Sequence, residues 1–377
     1  MQKRLIFSIW LLFAPTYYIA CNTQKLQKLI VATPVADLRS HPNSVPAGLQ
    51  APALSKDLGG QLSQVLFGEK LILNKHDLID DWVNVSALEQ EIITGDNTWI
   101  GCPGYVHKNH VISVDSFSRY TIILQDLWTP IYAQKDETNI LMSCAIGTML
   151  EAKKVDNMWW QIYLCGQEYG FIKATSGIYE VSDLVTESEI ELRNVLVNNA
   201  KKFIGCLYVL GGRTPTKQPQ DVQQITGIDC SDLINILFKT IGLQVPKNST
   251  SLFYGSKIIK YGKDLLPGDL LFFTSKTDIT KMCHVMLYIG KNKNGDDELI
   301  EATGQGVSSV QEARDNNIDP KKLAVRKIRF IDYFGVPAEQ IEAGKTMYKK
   351  RGYFILMGSY FDSPEAIQTL RTKLIMH

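Results

Sequence analysis

The spacing of apolar residues changes near residue 185, and this change constrains the possible folds more than any other feature of the chain. Before it, short alternating runs such as 69–73, 82–85 and 160–163 are separated by turn residues. This pattern is typical of small antiparallel β units. All six tryptophans also lie before residue 161, so the two halves of the chain differ in composition as well.

The second half combines helices with strands. Thr186 and Glu189 form an expected capping box at the start of a helix, and apolar residues then recur at helical spacing up to Gly205. A second helix is predicted from Cys230 to Gly242. Four strands are expected after it, over residues 269–273, 284–289, 298–302 and 324–330. Helices followed by a run of strands indicate an α+β domain.

The order of short motifs in the first half occurs twice. The first copy consists of residues 35–39, 68–71, 82–85 and 104–106, and the second of residues 129–132, 147–150, 160–162 and 170–172. This order resembles the bacterial SH3-like modules found beside cell-wall hydrolases. The two copies predict two small SH3-like β-barrels, over residues 29–115 and 116–182. Two generic β units with coincidental turns are the alternative.

The composition excludes some functional classes. The chain of 377 residues contains 40 Lys and Arg against 39 Asp and Glu, a formal net charge of +1. A nucleic-acid-binding protein usually carries a basic excess, so no nucleic-acid partner is expected. Only six histidines are present, which leaves little material for a multi-histidine metal site. We expect neither a metal nor an organic cofactor.

The N-terminus has the pattern of an export signal. Lys3 and Arg4 precede an uncharged run over residues 5–20, which is short for a membrane span and is followed by Cys21. The residues before Cys21 resemble a bacterial lipoprotein signal, although Tyr18 stands where such signals usually carry leucine. A lipidated Cys21 and a plain cleaved signal both stay open. Either one predicts an exported protein of the periplasm or cell envelope, anchored to the membrane if Cys21 is lipidated.

Cys230 has the surroundings expected of a reactive thiol. It follows Gly227-Ile228-Asp229 and opens the second predicted helix, where free N–H groups and the helix dipole favour a thiolate. A thiolate is the nucleophile of covalent acyl transfer, and it needs a base that titrates near neutral pH. His284 is the only histidine between His110 and the terminal His377, so it is the candidate base. The other cysteines are expected to be mostly unpaired and buried.

Four segments taken in order carry a family resemblance. They are residues 227–233, 265–273, 284–290 and 299–302. They resemble the NlpC-type cell-wall cysteine peptidases, over residues 190 to about 335. With two SH3-like modules upstream, the whole chain resembles the γ-D-glutamyl-L-diamino-acid endopeptidases of that family. The resemblance implies a papain-like catalytic domain at 186–336, in which a helix presents the cysteine and an antiparallel sheet presents the histidine.

Two departures from the family pattern bear on the chemistry. The usual third catalytic residue is histidine, and here it is Glu301, which is expected to accept the Nδ1–H of His284 and leave Nε2 for Cys230. The usual glycine after Asp-Cys-Ser is Asp232, a carboxylate that raises the thiol pKa by repulsion unless it points to solvent. If Glu301 faces solvent instead, the site is weakened.

The resemblance also implies a substrate. Tyr208 and Asp229 match the positions that hold the free amine of the stem peptide's L-Ala, and a phenol and a carboxylate suit an ammonium group. Asp229 has the simpler interpretation of a helix cap. Ser231 is included in the substrate site. Trp99 and Tyr105 are candidates for a wall of the groove contributed by the first module, although core packing is the usual fate of such aromatics.

The predicted activity is cleavage of the γ-D-Glu–diamino acid bond in peptidoglycan stem peptides that have a free N-terminal L-Ala. Two alternatives stay open: a catalytically weakened wall-binding protein, and an amidase or transferase that uses the same cysteine–histidine chemistry. Residues 337–377 have no functional interpretation, and we expect them to form a solvated extension.

Overall fold

A computed structural model describes residues 26–42, 60–79, 81–164, 168–175, 177–217, 226–275, 278–304, 323–348 and 352–361. The predicted signal segment with Cys21, and also Cys165, lie outside the described residues. Among the described helices, none is long and apolar enough to cross a lipid bilayer.

The first part of the chain forms one antiparallel sheet. Its strands are β1 (Lys28–Val31), β2 (Val35–Arg39), β3 (Gln61–Leu66), β4 (Lys70–Ile79), β5 (Trp82–Ile93), β6 (Trp99–His107) and β7 (Val111–Val114). They are ordered β3-β2-β6-β5-β4-β1-β7. Alternate residues of the sheet enter a core that contains Leu38, Leu71 and Val85, as the alternating pattern predicts.

The second part forms two smaller sheets. Its strands are β8 (Ile122–Leu124), β9 (Trp128–Tyr132), β10 (Ile140–Ala145), β11 (Met149–Leu150), β12 (Ala152–Lys154), β13 (Trp159–Leu164), β14 (Glu168–Lys173) and β15 (Ile178–Glu180). Five strands are ordered β10-β9-β14-β13-β12, and three are ordered β11-β8-β15. Both parts are therefore small β units, and their assignment as SH3-like barrels stays a prediction.

The third part combines four described helices with one sheet. The helices are α1 (Glu189–Lys202), α2 (Cys230–Lys239), α3 (Ser249–Gly255) and α4 (Phe330–Phe334). The strands are β16 (Lys257–Ile258), β17 (Leu270–Thr274), β18 (Met282–Lys291), β19 (Asp297–Ala302), β20 (Val325–Arg329), β21 (Met347–Tyr348) and β22 (Tyr353–Ser359). The sheet order is β16-β22-β17-β18-β19-β20, with β21 on β22. This domain therefore has the predicted mixture of helices and antiparallel strands.

Two expectations about the ends of this domain are wrong. The capping box of α1 is formed by Ser188 and Glu191, two residues later than Thr186 and Glu189, because the chain makes a 3-10 turn over 183–185 first. The region after residue 336 is not only a solvated extension: β22 pairs with β17, and Ile355 is fully buried. Pairing with the unpaired edge of β17 gives the backbone of β22 its hydrogen-bond partners, and it places Ile355 and Met357 in an apolar core.

The β units are packed directly against the helical domain. One buried apolar cluster contains Val35 of the first unit, Ile123 of the second and Ile236 of α2. Arg213 is fully buried between the units, where its Nη1 atom donates to Glu69 at 2.7 Å and its Nε and Nη2 atoms donate to Asn235 at 3.0 and 2.7 Å. These contacts fix the first β unit beside α2, and Cys230 is the first residue of that helix.

Candidate active site

Cys230 is the first residue of α2, and Asp229 caps the helix. One carboxylate oxygen of Asp229 accepts from the N–H of Asp232 at 2.8 Å and the hydroxyl of Ser231 at 2.9 Å. The other oxygen accepts from the N–H of Gly211 at 3.0 Å. Asp229 therefore caps the helix, as its simpler interpretation predicts, and the Ser231 hydroxyl is hydrogen-bonded to this cap. The N–H of Cys230, at the first helical position, has no intrahelical acceptor.

The sheet brings His284 and Glu301 together. His284 lies near the start of β18 and Glu301 lies on the neighbouring strand β19. Nε2 of His284 is 2.7 Å from Oε2 of Glu301, a carboxylate that is only 1% exposed. Glu301 is thus a buried partner of the imidazole and not a residue that faces solvent.

The predicted assignment of the two ring nitrogens is wrong. Glu301 bonds to Nε2, so Nδ1 is the nitrogen that is left for the Cys230 sulfur. Nε2 is the ring nitrogen farther from the backbone, so it is the nitrogen that reaches a carboxylate on the neighbouring strand. An ionised Glu301 keeps the proton of a neutral imidazole on Nε2, which makes Nδ1 the acceptor for the thiol proton.

Electrostatics favour a charged imidazole. Burial alone lowers the pKa of His284, but the hydrogen bond and charge of Cys230, followed by those of Glu301, raise the pKa to about 10. Burial acts on Glu301 in the opposite direction and raises its pKa. The hydrogen bond and charge of His284, together with Arg326, outweigh burial and hold the pKa of Glu301 below its ordinary value. The arrangement therefore suits a thiolate–imidazolium pair with an ionised carboxylate behind it.

Arg326 belongs to the site and was missed by the sequence analysis. It lies on β20 directly opposite Glu301, and its Nε and Nη2 atoms donate to Oε1 of Glu301 at 2.8 and 2.6 Å. The predicted strand over 324–330 contains Arg326, but basic residues also stand at 327 and 329. No signal in the sequence distinguishes the arginine that pairs with Glu301 from these neighbours.

Tyr208 lies beside the segment that leads into α2. It forms a bridge with Ile228, and its ring packs against the same core cluster as Cys230. Burial, followed by the negative charges of Cys230 and Asp229, raises the pKa of the Tyr208 phenol well above its usual range. The structure therefore brings Tyr208 near Asp229 and Cys230 with its phenol protonated.

The two aromatic candidates for the groove wall are less closely linked to the site. Trp99 is 39% exposed at the start of β6, where it pairs with Ile93. Tyr105 lies farther along β6, opposite Asn84. Within the described ranges, neither ring forms a hydrogen bond or a ring contact with Cys230 or His284. Their role in the groove stays a prediction.

Asp232 is buried and paired with a lysine. Its Oδ2 atom accepts from Nζ of Lys247 at 2.8 Å, and Nε of Arg213 lies 3.9 Å from Oδ1. Burial raises the pKa of Asp232 to about 7, and the charges of Lys247 and Arg213 oppose that shift. The carboxylate does not point to solvent, but its repulsion of the thiolate is offset by a cation 2.8 Å away.

We expect Asp232→Ala to destabilise the protein by about 3–5 kcal/mol, because it leaves the Lys247 ammonium buried without its partner. Urea unfolding measures the change. The double variant Asp232→Ala/Lys247→Met, which removes both charges, should recover a large part of the loss. An unchanged unfolding midpoint for Asp232→Ala would show that the pair contributes nothing.

The cysteines differ in reactivity. Within the described ranges, no disulfide involves Cys102, Cys206 or Cys230. Burial raises the thiol pKa of Cys102 and of Cys206, which lowers the thiolate fraction of both. Cys283 is exposed, so it competes with Cys230 for a thiol reagent. Nowhere in the described part of the chain do three or more His, Cys, Asp or Glu side chains form a cluster that could hold a metal ion.

A comparison with family models matches residues 205–327 to the NlpC/P60 family. The matched range contains Cys230, His284, Glu301 and Arg326. The fold is similar to the crystal structure of an NlpC/P60 family protein from Bacillus cereus ATCC 10987. The TM-score is 0.64 at 18% identity, over 89% of this chain and 99% of that one. That likeness concerns the fold.

Two relatives come from Bacillus subtilis (strain 168). A γ-DL-glutamyl hydrolase is 25% identical over 166 residues, which are 42% of this chain and 35% of the relative. A γ-D-glutamyl-L-lysine dipeptidyl-peptidase is 23% identical over 232 residues, which are 61% of this chain and 70% of the relative. The chain thus spans about a third of the first relative's length and more than two thirds of the second's.

Proposed function

Because residues 205–327 form a domain of the NlpC/P60 family of peptidoglycan hydrolases, we propose that this chain is a cysteine endopeptidase of peptidoglycan stem peptides. The bond it cuts joins γ-linked D-Glu to the diamino acid of a peptide that has a free N-terminal L-Ala. The name of the dipeptidyl-peptidase relative, which refers to a γ-D-glutamyl-L-lysine bond, supports this choice of bond.

In the proposed mechanism, Cys230 is the nucleophile. Its thiolate attacks the γ-carbonyl carbon of D-Glu, and the N–H of Cys230 with a neighbouring N–H stabilises the oxyanion. His284 then gives its Nδ1 proton to the leaving amine of the diamino acid, which leaves a thioester. Next, His284 takes a proton from water, the resulting hydroxide attacks the thioester, and the thiolate departs. Glu301 orients the imidazole throughout.

The observation that carries the proposal is the 2.7 Å bond between Glu301 and His284, next to a cysteine at a helix start. The wall-binding alternative depended on two departures from the family, Asp232 and Glu301. Asp232 is neutralised in part by Lys247, and Glu301 faces the imidazole, so neither departure removes the means of catalysis. An active peptidase is therefore favoured over a protein that only binds the wall.

Digestion of defined tri- and tetrapeptide stems, followed by mass spectrometry, tests the proposal. Hydrolysis at the γ-D-Glu–diamino acid bond supports the peptidase, whereas transfer of the acyl group to an added amine supports the transferase alternative. Iodoacetamide labelling separates both from a wall-binding protein. In a Cys283→Ala background, iodoacetamide should alkylate Cys230 of a competent site far faster than the buried Cys206.

We expect the enzyme to cut free L-Ala-γ-D-Glu-diamino acid peptides and to leave N-acylated stems on intact glycan uncut. The reason is the proposed ammonium pocket of Tyr208 and Asp229. An N-acylated L-Ala carries no positive charge at its nitrogen, so it cannot bind this pocket as an ammonium group does. Tyr208→Phe should raise KM for the free peptide by about tenfold, since a single hydrogen bond to a charged group contributes about 1.5 kcal/mol. Equal rates on free peptides and on intact sacculi would contradict the pocket.

We also propose that the protein is exported to the cell envelope. The basic residues Lys3 and Arg4, the apolar run and Cys21 support this localisation. The mass of the mature N-terminal peptide distinguishes a lipidated Cys21 from a plain cleaved signal.

A further inference from the structure

Arg326 lies beside the proposed triad and takes no part in the bond-making and bond-breaking steps of the proposed mechanism. Its guanidinium holds Oε1 of Glu301 through two N–H groups, at 2.8 and 2.6 Å, while Oε2 of the same carboxylate is 2.7 Å from Nε2 of His284. We propose that Arg326 is a positioning residue that keeps Glu301 ionised and turned toward His284 during the whole reaction. The inference rests on the proposed cysteine-peptidase site.

The geometry explains the orientation. Two donors in the fixed fork of the guanidinium hold Oε1 while Nε2 of His284 holds Oε2, and these contacts on opposite oxygens together fix the rotation of the carboxyl group about its last bond. The other oxygen then points along the sheet to His284. A lysine in this position supplies the charge as a single point and does not impose the same rotation.

The charge explains the ionisation. Glu301 is only 1% exposed, and a buried carboxylate takes up a proton unless a cation stands beside it. The imidazolium of His284 is such a cation for only part of the cycle, since His284 gives its proton to the leaving amine. Arg326 remains charged in every step because guanidinium does not lose its proton in proteins.

Protonation of Glu301 would disable the base. A protonated carboxyl group donates to Nε2, and the proton of the neutral imidazole then stays on Nδ1. Nδ1 is the nitrogen left for Cys230, and in that tautomer it cannot accept a proton from the thiol or from water. Arg326 therefore acts on the chemistry through Glu301, although it touches neither the thiol nor the imidazole.

Each strand that packs against Glu301 contributes one charged group to it. His284 faces Glu301 from β18, and Arg326 faces it from β20. Helix α2 presents Cys230 to His284, with Asp229 and Tyr208 near the cysteine. When Cys230 is ionised, as the proposed mechanism requires, the row alternates in sign as thiolate, imidazolium, carboxylate and guanidinium. Loss of the last member leaves a buried carboxylate at the end of the row.

The first test measures the titration of the Glu301 carboxyl by ¹³C NMR in the full chain without substrate. In Arg326→Met the pKa of Glu301 should rise, and in Arg326→Lys it should stay near the wild-type value because the charge is kept. Lys327→Met is the matched control: Lys327 is the next residue on β20, and its Nζ binds Glu298 at 3.0 Å instead of Glu301. The Glu301 titration in Lys327→Met should match that of the wild type.

The second test measures kcat against pH on a defined stem peptide. Arg326→Met should lower kcat by about tenfold, the lower end of the loss seen in metal sites when a group that orients a ligand is removed. It should also move the acid limb of the profile to higher pH. In a Glu301→Gln background the same substitution should have no further effect, because the group through which Arg326 acts is gone.

An unchanged Glu301 titration in Arg326→Met, or an equal loss of kcat with and without Glu301→Gln, would overturn the inference. These outcomes differ from failure of the proposed function. If the wild type does not hydrolyse any stem peptide, the function is wrong, while the carboxyl titration still decides whether Arg326 controls the ionisation of Glu301.

Discussion

Cys230→Ala is expected to lower kcat by about 10⁴-fold or more, since the proposed reaction has no covalent route without the thiolate. Cys230 is half-buried at the first position of α2, and alanine is favourable in a helix. The free energy of unfolding should therefore change by less than about 1 kcal/mol. Peptide hydrolysis measures the first effect, and urea unfolding measures the second.

Cys283→Ala is the matched control for this variant. Cys283 is the residue before His284 and its side chain is exposed, so the substitution removes a nearby thiol without touching the proposed nucleophile. This control should keep its activity. A Cys230→Ala protein that is folded and retains more than a trace of hydrolysis would refute the proposed mechanism.

Glu301→Gln is expected to lower kcat by about 10²- to 10⁴-fold, with little change in KM, because the carboxylate acts on the imidazole and not on the substrate. The amide has nearly the same size, but its NH₂ group can donate to Nε2 and select the wrong tautomer of His284. It also leaves the guanidinium of Arg326 without a charged partner. Steady-state kinetics on a defined stem peptide measures both constants.

The pH dependence gives this prediction a sign. Glu301 helps to raise the pKa of His284 to about 10, and the imidazolium that protonates the leaving amine is lost as the pH passes that value. Without the carboxylate the pKa of His284 falls, so the alkaline limb of kcat should move to lower pH in Glu301→Gln. Glu301→His, which restores the usual family residue, should keep more activity than Glu301→Gln. Identical pH profiles of Glu301→Gln and the wild type would exclude Glu301 as the orienting residue.

Some features of the site could be predicted because they depend on local sequence. Asp229 before Cys230 is a helix cap followed by the first helical residue, and the structure has both. His284 and Glu301 stand in the segments 284–289 and 298–302, which the sequence predicts to be strands, and both residues lie in β strands. Backbone propensity and the alternation of side chains act over a few residues, so they can be seen without knowledge of the rest of the chain.

Other features required the pairing of distant segments. The sequence does not show that Nε2 of His284 meets Glu301, or that Lys247 neutralises Asp232. It also did not show that β22 joins the catalytic sheet, since a short apolar run does not by itself specify the strand with which it pairs. The strand contacts depend on which register two strands share, and a shift by one residue would reverse their faces. The Lys247–Asp232 contact depends on where the loop before α3 packs against α2.

Local sequence patterns thus predict the β units followed by an α+β domain, the thiol at a helix start and the histidine near the start of a strand. The charge and orientation of these groups follow from contacts between segments that are distant in the chain. The pairing of β19 with β20 sets Arg326 against Glu301, and the pairing of β18 with β19 sets Glu301 against His284. Local patterns cannot predict these charges, because ionisation in a buried site depends on charges within a few ångströms, whatever their separation along the chain.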